Sequence, residues 1–414
     1  MINMRVLIYS YNYHPEPIGI APLMTELAEG LVKRGHQVRV VTAFPWYPEG
    51  EIYPEYRGKF YQLYQTEEKN GVKVQRCYIW TRRERNVSNR ALFELSFMFL
   101  SFFQALNGSK PDLILLTVPG LPVCLSATLL GWLYRVPIVL NLQDILPDAA
   151  VHVGLLTSKK LIKILSNLEK FAYKHATKIT VIADGFTRNL LKKGVEAEKI
   201  VEIPNWVDID FIKPLDGQKS YFRLENDLNG KFVVLYSGNI ALTQGLETVI
   251  EAATYLQDFP EITIVVVGEE KALKRLGNYC DKVGANNVKL LPFQSREKLP
   301  EMLAAADVSL VVQKKNVIAF NMPSKIQVLL ASGRAIIGSV PFEGTAARAL
   351  KNSGGGVVTS PEDPQALAQA IIDLYNDPEQ VKKLGEQGRK YAETNYNYEL
   401  ALDRYEELFH SLAR

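Results

Sequence analysis

Short runs of β-branched and aliphatic residues alternate along the chain with longer segments whose apolar positions recur at helical spacing. In the first half, strand-like runs fall at 5–9, 37–42, 73–78, 112–117, 138–142, 178–182 and 200–203. Helix-length segments at 21–34, 92–106, 122–134, 159–174 and 185–193 stand between most of them. Runs that are apolar throughout belong to strands buried on both faces, so the pattern predicts parallel sheets covered by helices. The alternation lapses over 209–230, where Pro214, Gly217 and Gly230 mix with charges, and this stretch reads as a linker. It then restarts, with strands at 232–236, 262–267, 288–291, 308–312, 335–338 and 356–359. Helices follow at 244–256, 271–283, 297–306, 324–332, 344–351, 364–376 and 379–395, and one more at 400–412 closes the chain. The expected fold class is α/β: two Rossmann-like, doubly wound domains over 1–208 and 231–395, with a last helix in 396–414. Two open parallel sheets joined by a linker are expected to leave a central cleft at the carboxyl edges of their strands, where ligands bind.

Composition narrows the class without changing that picture. A chain of 414 residues suggests two or three domains. At 47% hydrophobic and 22% charged residues, disorder, collagen and coiled coil are excluded. No apolar run approaches the ~20 residues of a spanning helix, and the first ten residues read as a strand rather than a signal peptide. Three widely spaced cysteines, Cys77, Cys124 and Cys280, argue for a reducing compartment and against a zinc site. The expectation is a soluble cytoplasmic protein. Its charge is uneven, with a net +6 over 1–208 and −3 over 209–414. Much of the excess lies in Arg76, Arg82, Arg83, Arg85 and Arg90 and in a run of lysines from Lys159 to Lys178. Such faces suit anionic lipid headgroups or phosphates, or are simply solvated. No helix-turn-helix, finger or RNP pattern accompanies the charge, so nucleic acid is not an expected partner.

The segment 92–106 is apolar around most of its circumference, and Arg82, Arg83, Arg85 and Arg90 stand before it. Two readings are open: a helix buried in the first domain, or an aromatic helix that docks on a membrane and receives a lipid-linked acceptor.

Several common catalytic signatures are missing: GxGxxG after the first strand, GxxxxGK[ST], HExxH and GxSxG. Asp208-Ile209-Asp210 is a bare DxD at the expected linker and reads as structural. What remains is a set of strand-to-helix turns marked by glycine. Pro15-Glu16-Pro17-Ile18-Gly19 precedes the first helix, and Ser237-Gly238-Asn239-Ile240 leads to Gln244-Gly245 after the second domain's first strand. Met322-Pro323-Ser324-Lys325 opens a third helix. Free N–H groups at helix starts together with one cation can cradle a diphosphate, or can be ordinary turn chemistry.

These turns, together with Arg34-Gly35-His36-Gln37-Val38, Gln143-Asp144, Ile203-Pro204-Asn205-Trp206-Val207-Asp208, Ala306-Asp307-Val308 and Leu330-Ala331-Ser332-Gly333-Arg334, carry a resemblance in their order and spacing. The chain resembles retaining glycosyltransferases of the GT-B fold, family four, over nearly its whole length. That resemblance implies transfer of a sugar, of hexosyl type, from a nucleotide-diphosphate donor to an acceptor hydroxyl. It implies no metal and no cofactor beyond that co-substrate. The second domain would hold the nucleotide and the first the acceptor, a glycan or a polyprenyl-diphosphate-linked sugar, in exopolysaccharide or cell-surface polysaccharide synthesis on the inner face of the plasma membrane. Gly19, Gly238, Asn239, Gln244, Gly245, Ser324 and Lys325 would surround the diphosphate, while Gly268, Phe293 and Gln294 would lie near the nucleoside. Gln143 and Asp144 would face the acceptor, Asp144 and Lys325 would act in catalysis, and Arg82, Arg83, Arg85 and Arg90 would touch the membrane surface. The final helix would pack back on the first domain.

The chain departs from the broad family pattern at several places. Asn239 and Gln244 stand where many members carry Arg and Lys, Phe320 and Val328 where a pair of glutamates is common, and Gln143 where a histidine is frequent. Lys325 is thus the main candidate for neutralising the diphosphate. A nucleotide-sugar epimerase of the same fold, or a non-catalytic partner of polysaccharide assembly, are the alternative readings.

Overall fold

A computed structural model describes residues 3–17, 19–57, 63–82, 87–118, 120–152, 154, 156–241, 243–317, 320 and 322–412. The chain divides into two compact units, Met1–Pro204 with Ala401–Arg414, and Asn205–Leu400.

Unit 1 begins with β1 (Arg5–Tyr9), α1 (Ile20–Lys33), β2 (Gln37–Ala43), α2 (Pro54–Arg57), β3 (Tyr64–Lys69) and β4 (Val72–Cys77). It continues through α3 (Val87–Leu106), β5 (Leu113–Val118), α4 (Val123–Tyr134), β6 (Ile138–Leu142) and α5 (Asp148–His152). It then runs through α6 (Lys159–His175), β7 (Lys178–Val181), α7 (Asp184–Lys192) and β8 (Ile200–Glu202). The eight strands order as β3-β4-β2-β1-β5-β6-β7-β8. All pairs are parallel except β3 with β4. The strand order reverses at β1, which lies between β2 and β5, and ligands of such sheets bind at the carboxyl ends beside that reversal.

Unit 2 repeats the scheme. It runs α8 (Tyr221–Glu225), β9 (Phe232–Ser237), α9 (Glu247–Thr254), β10 (Ile262–Gly268), α10 (Glu270–Val283), β11 (Val288–Pro292) and α11 (Leu299–Ala304). There follow β12 (Val308–Val312), α12 (Lys325–Ala331), β13 (Ala335–Ser339), α13 (Thr345–Ser353), β14 (Gly356–Thr359), α14 (Pro364–Asn376) and α15 (Pro378–Asn395). Its six strands order as β11-β10-β9-β12-β13-β14, all parallel, with the reversal at β9. Every residue of β10 is buried, as a strand covered on both faces requires. Successive residues of β9 feed opposite layers: Val234 and Tyr236 join one core cluster, Val233 and Leu235 the other.

The last helix, α16 (Tyr398–Leu412), contributes its residues from Ala401 onward to unit 1. Arg34 Nη1 donates to Asp403 Oδ1 at 2.7 Å and also to Glu406, while His36 Nε2 lies 2.8 Å from Glu406 Oε1. The Arg34-Gly35-His36 run therefore has a physical reason within unit 1: it clamps the final helix beside β2.

Three stretches differ from the sequence expectation. Residues 209–230 are not a free linker, because Phe222 and Leu228 are buried and Arg223 is held under unit 2. Its guanidinium donates to the Ala305 and Lys231 carbonyls and to Asp307 Oδ2, at 2.9, 3.0 and 2.6 Å. The helix expected from residue 244 starts at Glu247, because Gly245 has φ +63° and the Gln244 side chain accepts from Ala241 N–H. An additional edge strand, β3, pairs with β4 through Asn70-Gly71, both with positive φ.

Arg223→Ala removes the ion-pair partner of Asp307, leaving that carboxylate the Val233 N–H, and takes a donor from two carbonyls. The expected loss is about 3 kcal/mol, read as a lower urea midpoint; an unchanged midpoint would show that 209–230 carries no load.

Candidate active site

The candidate site of unit 2 is built where β9 ends. Gly238 sits at φ +134°, where an L side chain is strained, and its N–H donates to Val267 O at 3.1 Å. Gly268, at the end of β10, leaves room for the same turn: a Cβ there would lie 2.3 Å from Ile240 Cδ1. The Tyr236 hydroxyl donates to Asn239 O at 2.7 Å, so the turn is tied to its own strand and the Asn239 side chain is left exposed.

Lys325 enters this turn from the first residue of α12, next to the exposed Ser324. Its Nζ lies 3.5 Å from the centroid of the Tyr236 ring and donates to Ser237 O at 3.3 Å. A Cβ on Gly238 would come within 3.6 Å of Nζ. Among the described residues it forms no ion pair, and burial alone pushes its pKa down to about 7. An ammonium held by a ring face and a carbonyl, without a carboxylate, is poised for an incoming anion.

The structure therefore brings Gly238, Asn239, Gly268 and Lys325 together, with Gln244 and Gly245 on the same loop. It adds a cation that the sequence reading missed. Lys314 follows β12, donates its N–H to Thr243 O at 2.9 Å, and lays its stem across Gly245, where a Cβ would be 2.9 Å from Cγ. No motif marks it; only the pairing of β12 with β9 brings it to this loop. Phe293 and Gln294 lie farther along the edge, past β11, with Phe293 exposed and the Gln294 amide turned back to Pro292 O at 2.9 Å.

In unit 1, Gly19 caps α1 at φ +73°. Buried Glu16 braces its turn, accepting from Trp46 N, Tyr47 N and Asn12 Nδ2 at 2.8–2.9 Å. Asp144 follows β6 and is exposed, yet the protein crowding its carboxyl raises its pKa. Beside it, Gln143 donates to Asn141 Oδ1 at 2.8 Å, and Asn141 donates in turn to the Tyr405 hydroxyl of α16. Arg82 lies over Trp80, and Arg90 lies over Phe93 and pairs with Glu94. Arg83 and Arg85 fall outside the described residues. Asp208 serves its own turn, accepting from Asp210 N and Phe211 N.

Residues 19–206 match the glycosyl transferase 4-like domain, and residues 219–391 match glycosyl transferases group 1. The putative colanic acid biosynthesis glycosyl transferase WcaI of Escherichia coli (strain K12) is 32% identical over 97% of this chain and 98% of its own length. The chain belongs to the family-four glycosyltransferases. The probable glycosyltransferase WbjE of Pseudomonas aeruginosa is 23% identical over 80% of this chain and 83% of its own. Anabaena Alr3699/HepE, solved in complex with UDP, matches with a TM-score of 0.73 at 18% identity, over 99% of this chain and 100% of that one. That likeness gives the glycosyltransferase its GT-B fold.

Among the described residues of the glycosyltransferase, one group has metal-ligand atoms within 4.8 Å of one another: His36, Glu406 and His410. His36 Nδ1 accepts from Met4 N–H at 3.2 Å, so Nε2 carries the proton and donates to Glu406. That tautomer leaves His36 no lone pair for a cation, and the cluster acts as the clamp on α16.

Lys325 has an ordinary value of 10.5 once unfolded and about 7 when folded. The unfolded chain thus binds more protons between those values, and this group's contribution to stability rises with pH across the window. Relative to Lys325→Met, the wild-type glycosyltransferase is expected to gain stability from pH 7 to pH 9 in urea titrations. A flat difference contradicts the desolvated ammonium.

Proposed function

We propose that this glycosyltransferase moves a hexose from a nucleotide diphosphate to a lipid-linked glycan acceptor, with retention, in assembly of a surface or exported polysaccharide. The observation that carries the reading is the unpaired, desolvated Lys325 ammonium at the strand reversal of unit 2. Anabaena HepE has been solved with UDP-glucose and the WcaI relative is named for colanic acid biosynthesis, which supports a uridine nucleotide and a polysaccharide product.

In this reading the diphosphate sits against the Gly238 turn, with Lys325 and Lys314 as its cations and Ser324 beside it. The two lysines take the place of the charges that Asn239 and Gln244 do not supply. Phe293, Gln294 and the end of β10 at Gly268 face the nucleoside. As the bond between the anomeric carbon and the phosphate oxygen stretches, negative charge grows on the departing diphosphate, and a preorganised ammonium stabilises it without reorganisation. The acceptor hydroxyl attacks from the same face and its proton passes to the departing phosphate oxygen. Unit 1 supplies the acceptor side, where Asp144, held in register by Gln143 and Asn141, orients the hydroxyl. The N-terminus of α1 at Gly19 offers N–H dipoles to negative charge. The reaction runs without a metal or further cofactor, at the cytoplasmic face of the membrane, with Arg82 and Arg90 toward the headgroups.

Saturating UDP, at a hundred times its dissociation constant, is expected to stabilise the chain by about 2.7 kcal/mol and raise the melting midpoint by several degrees. Lys325→Ala is expected to lose about a hundredfold or more in turnover while keeping its fold by circular dichroism, and EDTA is expected to leave turnover unchanged. Near-normal turnover in Lys325→Ala would falsify the cradle.

A further inference from the structure

Eighteen large apolar side chains stand exposed among the described residues, and nine of them lie on α3 and α4. On α3 they are Leu92, Leu95, Phe99, Phe103 and Leu106, spaced by three or four and so aligned on one outward face. The opposite face holds the buried Phe93, Phe97, Ser101 and Ala105. Of the two readings left open for this segment, burial in the first domain holds for one side of the helix only. On α4 the exposed residues are Leu125, Leu129, Trp132 and Leu133. The helices pack side by side, with Ser126 Oγ donating to Met98 O at 2.7 Å, so the two stripes form one continuous surface. Contiguous apolar area of this kind marks an interaction site.

The charges around it select the occupant. α4 carries no charged residue, and the single acid of α3, Glu94, is buried against Tyr11 and paired with Arg90. α6 borders α4, its His175 ring 5.2 Å from Trp132. Its outward face presents Lys160, Lys163, Lys170 and Lys174 around the exposed Ile164. The single acid of α6, Glu169, is buried and satisfied by Lys193 and Tyr173. The three helices thus show apolar area bordered by cations and no exposed carboxylate. A second copy docked through the same three helices would bring no exposed carboxylate to those lysines.

We propose that the α3–α4 face inserts shallowly into an anionic lipid bilayer, with the α6 lysines on the headgroups. This rests on the reading of unit 1 as the acceptor side, and it names the phase from which a lipid-linked acceptor is drawn. The lysines supply electrostatic attraction and the aliphatic and aromatic tips supply the buried area, the two terms that set interfacial binding.

The test uses the full chain without donor or acceptor, mixed with vesicles of phosphatidylglycerol and phosphatidylcholine, or of phosphatidylcholine alone. Wild type is expected to sediment with the anionic vesicles and to be quenched by lipids brominated on their acyl chains. Quenching should disappear in Trp132→Phe, which keeps binding. Phe99→Ser combined with Phe103→Ser, and separately Lys160→Glu with Lys163→Glu, are expected to weaken binding by about tenfold or more. UDP-induced thermal stabilisation in the same preparations reports on the donor site independently. The proposal is overturned if wild type ignores anionic vesicles, if the phenylalanine pair binds as wild type does, or if wild type is a dimer that the phenylalanine pair dissociates.

Discussion

A lysine amine screened from water with no carboxylate beside it is an expensive place for a charge, and the Gly238 turn of unit 2 holds one. Lys325 Nζ rests on the Tyr236 ring and the Ser237 carbonyl, and burial lowers its pKa to about 7. Everything nearby serves that placement. Gly238 is a glycine because its φ strains an L side chain, and Gly268 is a glycine because Ile240 fills the space where its Cβ would be. The parallel pairing of β9 with β10 and β12 brings the Gly238 turn, the end of β10 and Lys314 to one edge. An anion bound there would recover that cost, because desolvation that disfavours an isolated ammonium strengthens its attraction to a phosphate.

Unit 1 solves a different problem, holding polar residues at a sheet edge in fixed positions. The α16 helix is central to it. Glu406 accepts from Arg34 and His36, and Tyr405 receives the amide of Asn141, which in turn receives that of Gln143. The last helix is thereby connected by hydrogen bonds to the residue preceding Asp144. On the far side of the same unit, α3 and α4 give up burial of one face, which a soluble domain would ordinarily avoid.

Much of the fold was legible in the amino-acid order because fully buried parallel strands need continuous apolar runs, and β1, β6, β10 and β12 have them. Edge strand β3, with Tyr-Gln-Thr-Glu-Glu-Lys, has no such run, and its one signal was the Asn70-Gly71 turn. The stretch 209–230 looked like a linker because its anchors are long-range: Arg223 reaches Ala305 and Asp307, about eighty residues onward, and Arg334 and Arg389 hold its Leu215 and Ile212 carbonyls. Of the site, Gly238 and Lys325 were readable from turn chemistry and family resemblance. Lys314 was not, since its place depends on strand order. Nor was the exposure of α3, because an apolar circumference does not say which half is covered.

Calorimetric titration of UDP into the wild-type chain, at pH 8 in buffers of different ionisation enthalpy, tests the central claim directly. If Lys325 is largely neutral when free and charged beneath a diphosphate, binding takes up close to one proton, and Lys325→Met takes up none. Binding with the same proton count in both proteins would contradict the account.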